Sequence, residues 1–532
     1  METSGKRSFV KGAAILGIAG LLCKVIGAFF RIPLYNMIGD GMVYYEAVYP
    51  WYSTLIVVST AGIPTAISKL VAERVTLGDF AGAKKVFRRA QLLLLGIGLV
   101  TTAMLLFGAE AIVKLQQTGE GAVYSFRALA PALLFVSLMC AYRGYLQGVQ
   151  LMAGTAISQL IEQIGKLAVG LYLASAFLPY GLEYAAMGAL IGVTASELMA
   201  LIVIAVIFRS RRRRFLPVNV PQRTKDSGII GQLLAMAIPV TIGASIMPLT
   251  GVVDSMLIMP TMLKLGLTEA EASMRYVALR TNVAAITNMP ALLTTALSMS
   301  LVPAISSARA RKDKKSIHGA SRMGMKLAMV IGLPCGIGLF VLGGQAVDLL
   351  YDIDPTRLYL CAKLMRISAI GIIFLSLVQT MTGIIQGLGR PLVPVVNLAL
   401  GAVTKIIIML TLMQDPRIEI YGAALSTVAC YAVAGIADAI YLVRKTRLRV
   451  GVINTFLKPL FASLVMGVAA FFAYVFFSAS LSLTSLSTLL AIMVAAVIYV
   501  ILLFLLRIFT VEDLKLIPGG RTLARLMYGG KR

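Results

Sequence analysis

The sequence has very little of what most enzymes and metalloproteins use. It contains one histidine, one tryptophan and five cysteines among 532 residues, and only 14% of its residues are charged, against about 25% in soluble domains. The cysteines stand singly in apolar segments without any C-x-x-C spacing, so we expect neither disulfides nor a metal site. No H-E-x-x-H, phosphate-binding G-x-x-x-x-G-K-[ST] or Ser/His/Asp set is present. We therefore predict a protein that is not an enzyme and holds no cofactor.

Long apolar runs take the place of the missing charge. Hydrophobic residues make up 59% of the chain, and runs of about 20 apolar residues, enough to cross a bilayer, recur along its length. We predict an all-α, polytopic membrane protein with fourteen transmembrane helices. The predicted spans are 10–38, 47–72, 90–113, 123–147, 153–178, 182–208, 229–262, 276–308, 325–347, 360–387, 392–413, 420–443, 453–479 and 483–507.

The basic residues are concentrated on one side of these spans. With fourteen crossings both termini share a side, and that side holds 33 of the 49 Lys and Arg residues. Cytoplasmic loops of membrane proteins carry such an excess. We therefore place both termini in the cytoplasm and attribute the net charge of +26 to topology, not to nucleic-acid binding. The first apolar run is too long for a cleaved signal peptide, so we interpret it as the first span.

The two halves of the chain repeat. An offset of 239 residues aligns GYLQG at 144–148 with GIIQG at 383–387, and Lys166 with Lys405. Six spans per half make the repeats parallel, as in transporters whose halves rock about a central site. We predict an N-terminal six-helix lobe at 1–208, a basic cytoplasmic linker at 209–228, a C-terminal six-helix lobe at 229–445, and two additional helices with a tail at 446–532. A substrate path between the lobes would make this a transporter.

Ionisable residues inside spans are costly and are therefore functional candidates. Glu162 and Lys166 are one helical turn apart and are predicted to form an ion pair. Gly401 stands where the repeat would place a similar acid for Lys405, which must find its partner on another helix. The remaining candidates are acids that could bind H⁺ or Na⁺ or form interhelical hydrogen bonds, and arginines that could snorkel to the outer surface. These are Glu197, Asp254, Asp438, Arg127 and Arg366.

Lys24 and Arg31 form the most informative pair. They lie seven residues apart on one face of the first span, with no acid within a helical turn. Two such cations facing a cavity would bind an anion, and a pyrophosphate would suit a compact lysine and a bidentate arginine. The alternative is that they pair with Glu46 or Asp254 from other helices.

Four segments carry a resemblance to a known family. They are KGAAILGIAGLLCKVIGAFFRIPLYNMIG at 11–39, GIPTAISKLVAE at 62–73, YRGYLQGVQLMAGTAISQLIEQIGK at 142–166 and LSMSLVPAIS at 297–306. The chain resembles the SpoVB/YtgP group of polysaccharide-type flippases, related to the MurJ lipid II flippases within the multidrug/oligosaccharidyl-lipid/polysaccharide exporter superfamily. The resemblance covers essentially the whole chain.

The resemblance implies a flippase in the bacterial cytoplasmic membrane. It would move an undecaprenyl-pyrophosphate-linked glycan, with lipid II as first choice, to the outer leaflet by alternating access. The implied energy source is the membrane potential or an ion gradient, with Na⁺ or H⁺ as coupling ion. Lys24, Arg31, Glu46 and Arg280 match the family's substrate-binding positions, and the last two helices would guide the prenyl chain. We expect a monomer in contact with membrane lipids and cell-wall synthesis enzymes.

Two other functions stay open. A multidrug/cation antiporter of the same superfamily would use Asp254, Glu197 or Asp438 for ion coupling, but such proteins usually have twelve spans. A non-transporting scaffold of cell-wall synthesis would need none of these residues. The sequence leaves open which glycan is carried, whether lipid II, a spore-cortex precursor, or a capsule or teichoic unit.

Overall fold

The chain is almost wholly helical. The computed structural model describes residues 2–215, 228–446, 451–481 and 483–510, with side chains from residue 16 onward except at 211–215, and these ranges contain no β-strand. The α-helices are α1 (Glu2–Ile38), α2 (Met42–Thr60), α3 (Ile63–Thr76), α4 (Phe80–Phe107), α5 (Ala109–Gln116), α6 (Ala122–Gly148), α7 (Met152–Phe177), α8 (Leu182–Phe215), α9 (Ile229–Lys264), α10 (Glu269–Val277), α11 (Ala284–Ala310), α12 (Lys314–Leu350), α13 (Pro355–Gly387), α14 (Leu392–Leu412), α15 (Ile420–Thr446), α16 (Lys458–Ser480) and α17 (Thr484–Leu505). Most of the predicted linker and tail lies outside the described residues.

The helices are long and apolar enough for fourteen membrane crossings. Thirteen stretches of the described chain qualify as spans, and the first of them, Leu16–Thr76, is 61 residues long. At about 1.5 Å per residue it would extend far beyond a hydrocarbon core about 30 Å thick. It folds back between α1 and α2 at a short 3₁₀ turn, Gly39–Gly41, so it supplies two crossings. The prediction of an all-α polytopic membrane protein is confirmed.

Two predicted spans are interrupted in the structure. The span predicted at 47–72 breaks at residues 61 and 62, between α2 and α3, and the one predicted at 90–113 breaks at Gly108, between α4 and α5. Gly62 presses against the backbone of α9, where an added Cβ would overlap the carbonyl oxygen of Ala237. A hydropathy window does not register such a break because both flanking helices are apolar.

The chain divides into two compact units, Met1–Val277 and Ala278–Arg532. In the first unit the main core lies among α3, α4, α6, α8 and α9, around residues such as Ile67, Phe87 and Tyr145. In the second unit α11 and α13 share one core, and α16 and α17 pack with Leu342 of α12 in another. The two C-terminal helices therefore belong to the second unit and pack on α12.

The predicted repeat recurs as a packing pattern inside each unit. On α6, Gly144 and Gly148 press against α3, where an added Cβ would come within 2.9 Å of other heavy atoms. On α13, Gly383 and Gly387 hold the corresponding positions and press against α11 in the same way. Small residues four apart let helix backbones approach closely in a membrane. The repeated G-x-x-x-G therefore builds the same helix pair twice.

The compact units and the predicted lobes divide the chain at different places. The seventh crossing, α9, lies in the first unit and contacts α2 and α3, whereas the repeat assigns it to the second half of the sequence. The lobe boundaries at 208, 229 and 445 describe the repeat, and they stay a prediction.

Candidate functional site

Arg31 and Glu46 meet across the turn between α1 and α2. Because the two helices are joined by only three residues, the last turns of α1 lie beside the first turns of α2. Arg31 Nη1 lies 2.9 Å from Glu46 Oε1, with the glutamate side chain fully buried and the arginine 18% exposed. The Tyr276 hydroxyl donates to the Glu46 backbone carbonyl at 3.1 Å. Arg31 is thus paired with Glu46, which is one of the two partners considered for the cations of the first span.

A second cation joins Arg31 at the ring of Tyr49. The Arg31 guanidinium carbon lies 4.9 Å from the Tyr49 ring centroid, and the Lys166 ammonium lies 5.1 Å from the same centroid. Lys166 also lies 4.9 Å from the ring of Phe30 and is buried. Aromatic faces attract cations, more strongly where water is excluded. The rings therefore hold two positive groups close together, and the buried Glu46 is paired with one of them, Arg31.

The predicted ion pair between Glu162 and Lys166 is wrong. Glu162 Oε2 accepts from Arg143 Nη2 at 2.9 Å, and Arg143 Nε also donates to Ser158 at 3.1 Å. Arg143 lies on α6, and its planar guanidinium engages two acceptors on α7 at once. Lys166 is directed instead to the aromatic residues of α1 and α2. Arg143 was absent from the sequence candidates, although it is a cation inside a span with no acid within a helical turn.

The pair between Arg143 and Glu162 supports a prediction about stability. Both side chains are mostly buried, with exposures of 12% and 19%, so Glu162→Gln leaves an uncompensated cation and should cost on the order of 3 kcal/mol. Thermal unfolding of the purified protein would measure this. The double variant Arg143→Leu with Glu162→Leu should recover most of the lost melting temperature, since it removes both charges. An unchanged melting temperature in Glu162→Gln would contradict the assignment.

Glu197 is the most weakly held acid of this region. It lies buried on α8, and its Oε1 accepts from the Tyr52 hydroxyl at 3.4 Å. No hydrogen bond to its Oε2 is found within the described residues. Glu162, Arg143 and Lys166 are close enough to interact with Glu197 electrostatically. This is the environment of a carboxyl group that could take up a proton or a small cation.

These contacts define one charged cluster in the first unit, with three cations and three acids drawn from α1, α2, α6, α7 and α8. The members of the charged cluster are Arg31, Glu46, Arg143, Glu162, Lys166 and Glu197. Its net charge is zero when every member is ionised. An anion that binds the cations must therefore compete with a carboxylate, which makes binding reversible.

Lys24 lies apart from the charged cluster. Its side chain is exposed, and within the described residues it forms neither a hydrogen bond nor an ion pair. Two turns of helix, about 10 Å, separate it from Arg31. Between them Gly27 packs against Gln163, whose Oε1 would lie 3.0 Å from an added Cβ. The structure therefore leaves the cation nearer the start of α1 accessible and the deeper one paired.

Asp254 and Arg280 are two further candidates from the sequence, and they belong to different units. Asp254 is buried on α9 in the first unit and has an interaction partner. Beside it, Ser255 accepts from Gln116 Nε2 at 3.0 Å. Arg280 belongs to the second unit, in a π-helical segment, Ala278–Val283, that precedes α11. It is half-buried and also has a partner. Wide turns of this kind are frequent at functional sites.

The second unit holds its own buried acid. Asp438 on α15 is 1% exposed, and its Oδ1 accepts from Asn397 Nδ2 of α14 at 2.7 Å. Lys405 is buried on the same α14 and has an interaction partner. Asn397 was absent from the sequence candidates, yet the repeat offset aligns it with Ser158. Both residues bind a charged group on another helix, but Ser158 was not a sequence candidate either, so the repeat alone did not identify Asn397.

Comparison with known proteins agrees with this architecture. A family model described as "Polysaccharide biosynthesis protein" matches residues 9–309, and one described as "MatE" matches residues 255–411. Stage V sporulation protein B of Bacillus subtilis (strain 168) is 26% identical over 518 residues, which cover 96% of this chain and 98% of that protein. Lipid II flippase MurJ of the same organism is 24% identical, over 79% of this chain and 80% of the relative. The predicted family resemblance is confirmed.

Solved structures share the fold. A multidrug resistance MATE family transporter of the MOP superfamily, in an inward-facing conformation, matches with a TM-score of 0.67 at 14% identity, covering 82% of this chain and 96% of its own. Lipid II flippase MurJ in an inward closed conformation matches with a TM-score of 0.65 at 16% identity, covering 92% and 98%. The chain is a multi-pass bacterial membrane protein with a transporter fold, which fits the prediction that it is not an enzyme.

Proposed function

Because the chain belongs to the polysaccharide biosynthesis protein family, we propose that it is a flippase for an undecaprenyl-pyrophosphate-linked glycan. Lipid II is our first choice of substrate. The glycan lipid would pass from the cytoplasmic to the outer leaflet by alternating access, with both termini of the chain in the cytoplasm. The observation that carries the proposal is the Arg31 guanidinium, held inside a span beside a second cation and paired with a buried glutamate.

The charge arrangement suits a pyrophosphate. A diphosphate group can take two parallel hydrogen bonds from a guanidinium and a further one from an ammonium. Arg31 supplies the first and Lys166 the second, while Tyr49 keeps the two cations near one another. Glu46 forms an ion pair with the Arg31 guanidinium, and the pyrophosphate would displace it. Lys24, about two turns nearer the start of α1, would make the first contact with the headgroup. Arg280 stays a further candidate for substrate binding, as the family resemblance implies.

The additional helices favour a flippase over a drug antiporter. The match to the MurJ structure extends over 92% of this chain, whereas the match to the MATE transporter extends over 82%. This difference is expected if MurJ has counterparts of the two additional helices and the MATE transporter has none. α16 and α17 are packed on α12 and carry many exposed apolar side chains. They would accompany the prenyl chain along the bilayer.

A flipping assay with purified protein tests the proposal. Proteoliposomes would contain lipid-linked precursors with different glycans, and the fraction reaching the outer leaflet would be followed with time. We expect lipid II to move faster than a teichoic or capsule precursor. Equal, protein-independent rates for every precursor would support a scaffold instead. Imposed proton, sodium and electrical gradients would identify the coupling ion, and the variants Glu197→Gln and Asp438→Asn would show which acid carries it.

A further inference from the structure

The second unit contains a pocket that the proposed transport does not use. It has a volume of about 340 Å³ and lies where α12, α13 and the additional helix α16 meet. Its lining combines a cation, an acid, an amide and aromatic rings. The residues that matter here are Phe340, Gln345, Asp348, Tyr359, Arg366 and Tyr474.

The two charges in this pocket face it without pairing with each other. Asp348 lies on the last turn of α12, and Arg366 lies on α13. Within the described part of the chain neither forms an ion pair or a hydrogen bond. Two opposite charges that line one cavity without pairing are complementary to a ligand that carries one anionic and one cationic group. Such a ligand would place an anionic group on the guanidinium and a cationic group on the carboxylate.

The repeat provides a contrast for Arg366. The equivalent residue in the first unit is Arg127, and it pairs with Glu110 at 2.7 Å. Both members of that pair are exposed, so the cation is neutralised at the surface. In the second unit the equivalent arginine is also exposed, but it lines the pocket and has no such partner within the described residues, which leaves it available to a ligand.

The side chains around the pocket suit a bound lipid, with polar groups at the ends of the helices and apolar rings along them. Asp348 and the start of α13 at Pro355 mark the end of this helix pair, while Phe340 and Tyr474 line the pocket's apolar part. On the same helix as Tyr474, the side chains of Phe472 and Phe476 are each 65% exposed. On a membrane-spanning helix such rings face acyl chains, and aromatic residues with a polar tip mark the headgroup level.

We propose that this pocket binds a zwitterionic aminophospholipid of the phosphatidylethanolamine class. Its phosphate contacts Arg366, its primary ammonium donates to Asp348 and to the amide oxygen of Gln345, and its acyl chains lie along α16. A primary ammonium has three donors for these acceptors, whereas a choline group has none. An aromatic cage for choline is also incomplete, because Lys363 already lies 4.2 Å from the Tyr359 ring centroid.

Native mass spectrometry of the full-length protein tests this assignment. The protein would be exposed to phosphatidylethanolamine, phosphatidylglycerol and phosphatidylcholine with identical acyl chains, and the retained lipids counted. We expect about tenfold stronger retention of phosphatidylethanolamine than of the other two. Arg366→Gln should weaken retention of every phospholipid. Asp348→Asn should lower phosphatidylethanolamine to the level of phosphatidylglycerol and leave phosphatidylglycerol unchanged. Arg127→Gln, the repeat-equivalent control, should change nothing.

Three outcomes would overturn the proposal: no headgroup preference in the unaltered protein, a preference that survives Asp348→Asn, and equal retention of phosphatidylcholine. The melting temperature of each variant shows whether it is folded. Should Asp348→Asn fail to fold, Gln345→Leu provides the second measurement, because it removes one acceptor for the ammonium and leaves both charges. It should reduce the preference for phosphatidylethanolamine about threefold, and an unchanged preference would also contradict the assignment.

Discussion

Transport of the lipid-linked glycan should fall at least about 100-fold when Arg31 is replaced by alanine. The guanidinium would supply two charge-assisted hydrogen bonds to the pyrophosphate, each contributing about 1.5 kcal/mol or more. A loss of about 3 kcal/mol corresponds to two powers of ten, at about 1.4 kcal/mol for each. The measurement is complementation of a flippase-depleted strain, together with the flipping rate in proteoliposomes.

The buried Glu46 makes a control for stability necessary. Arg31→Ala removes the cation 2.9 Å from a fully buried carboxylate, and a buried charge without its partner destabilises a protein. The double variant Arg31→Ala with Glu46→Gln removes that penalty, so it should fold like the unaltered chain and still fail to transport. If the double variant transports normally, the pair of Arg31 and Glu46 has only a structural role.

Lys24 provides the matched comparison on the same helix. Its side chain is exposed and separate from the charged cluster, so Lys24→Ala should lower the flipping rate about tenfold and leave the melting temperature unchanged. The size of this effect follows from one lost contact with a charged group. Normal growth of the strain carrying Lys24→Ala together with Arg31→Ala would contradict the proposed function.

Sequence patterns are most informative about contacts that arise within a few residues of a turn, where the pairing of Arg31 with Glu46 was one of the alternatives considered. The helical period placed Lys24 and Arg31 on one face, and the short connection after α1 brought Glu46 to Arg31. The number of crossings followed from composition, because spans of a fixed length are imposed by the bilayer. The repeat offset aligned the glycines that form the α6 and α13 interfaces in the structure, since the same helix pair is built twice.

Contacts between helices distant in sequence could not be predicted in this way. Arg143 binds Glu162 and Asn397 binds Asp438 across separate spans, and no period in the sequence states which helices are neighbours. The pairing assigned to Glu162 failed for this reason. A partner one turn away is always within reach in principle, but Lys166 has a better environment among the rings of Phe30 and Tyr49. Local spacing and tertiary packing compete, and here tertiary packing decides.

The crossing of α7 and α8 fixes the positions of Lys166 and Glu197. The residue before Lys166, Gly165, presses against Ser196, whose Cβ would lie 2.8 Å from an added Cβ. One turn further, Gly192 of α8 lies so close to Gly170 of α7 that an added Cβ would overlap the backbone of α7. Close approach of this kind is available only to glycine.

Replacing Gly192 by leucine should therefore push α8 away from α7 and cost several kcal/mol. Overpacking in a close-packed interior costs about 1–3 kcal/mol, and backbone overlap adds to this because no side chain can move aside. We expect at least a tenfold lower yield of monodisperse protein by size-exclusion chromatography. Gly96→Leu on α4 is the matched control, since Gly96 is exposed and nothing lies within 4 Å of its added Cβ. Equal yields of the two variants would show that α7 and α8 are not in this close contact, and the positions assigned to Lys166 and Glu197 would lose their support.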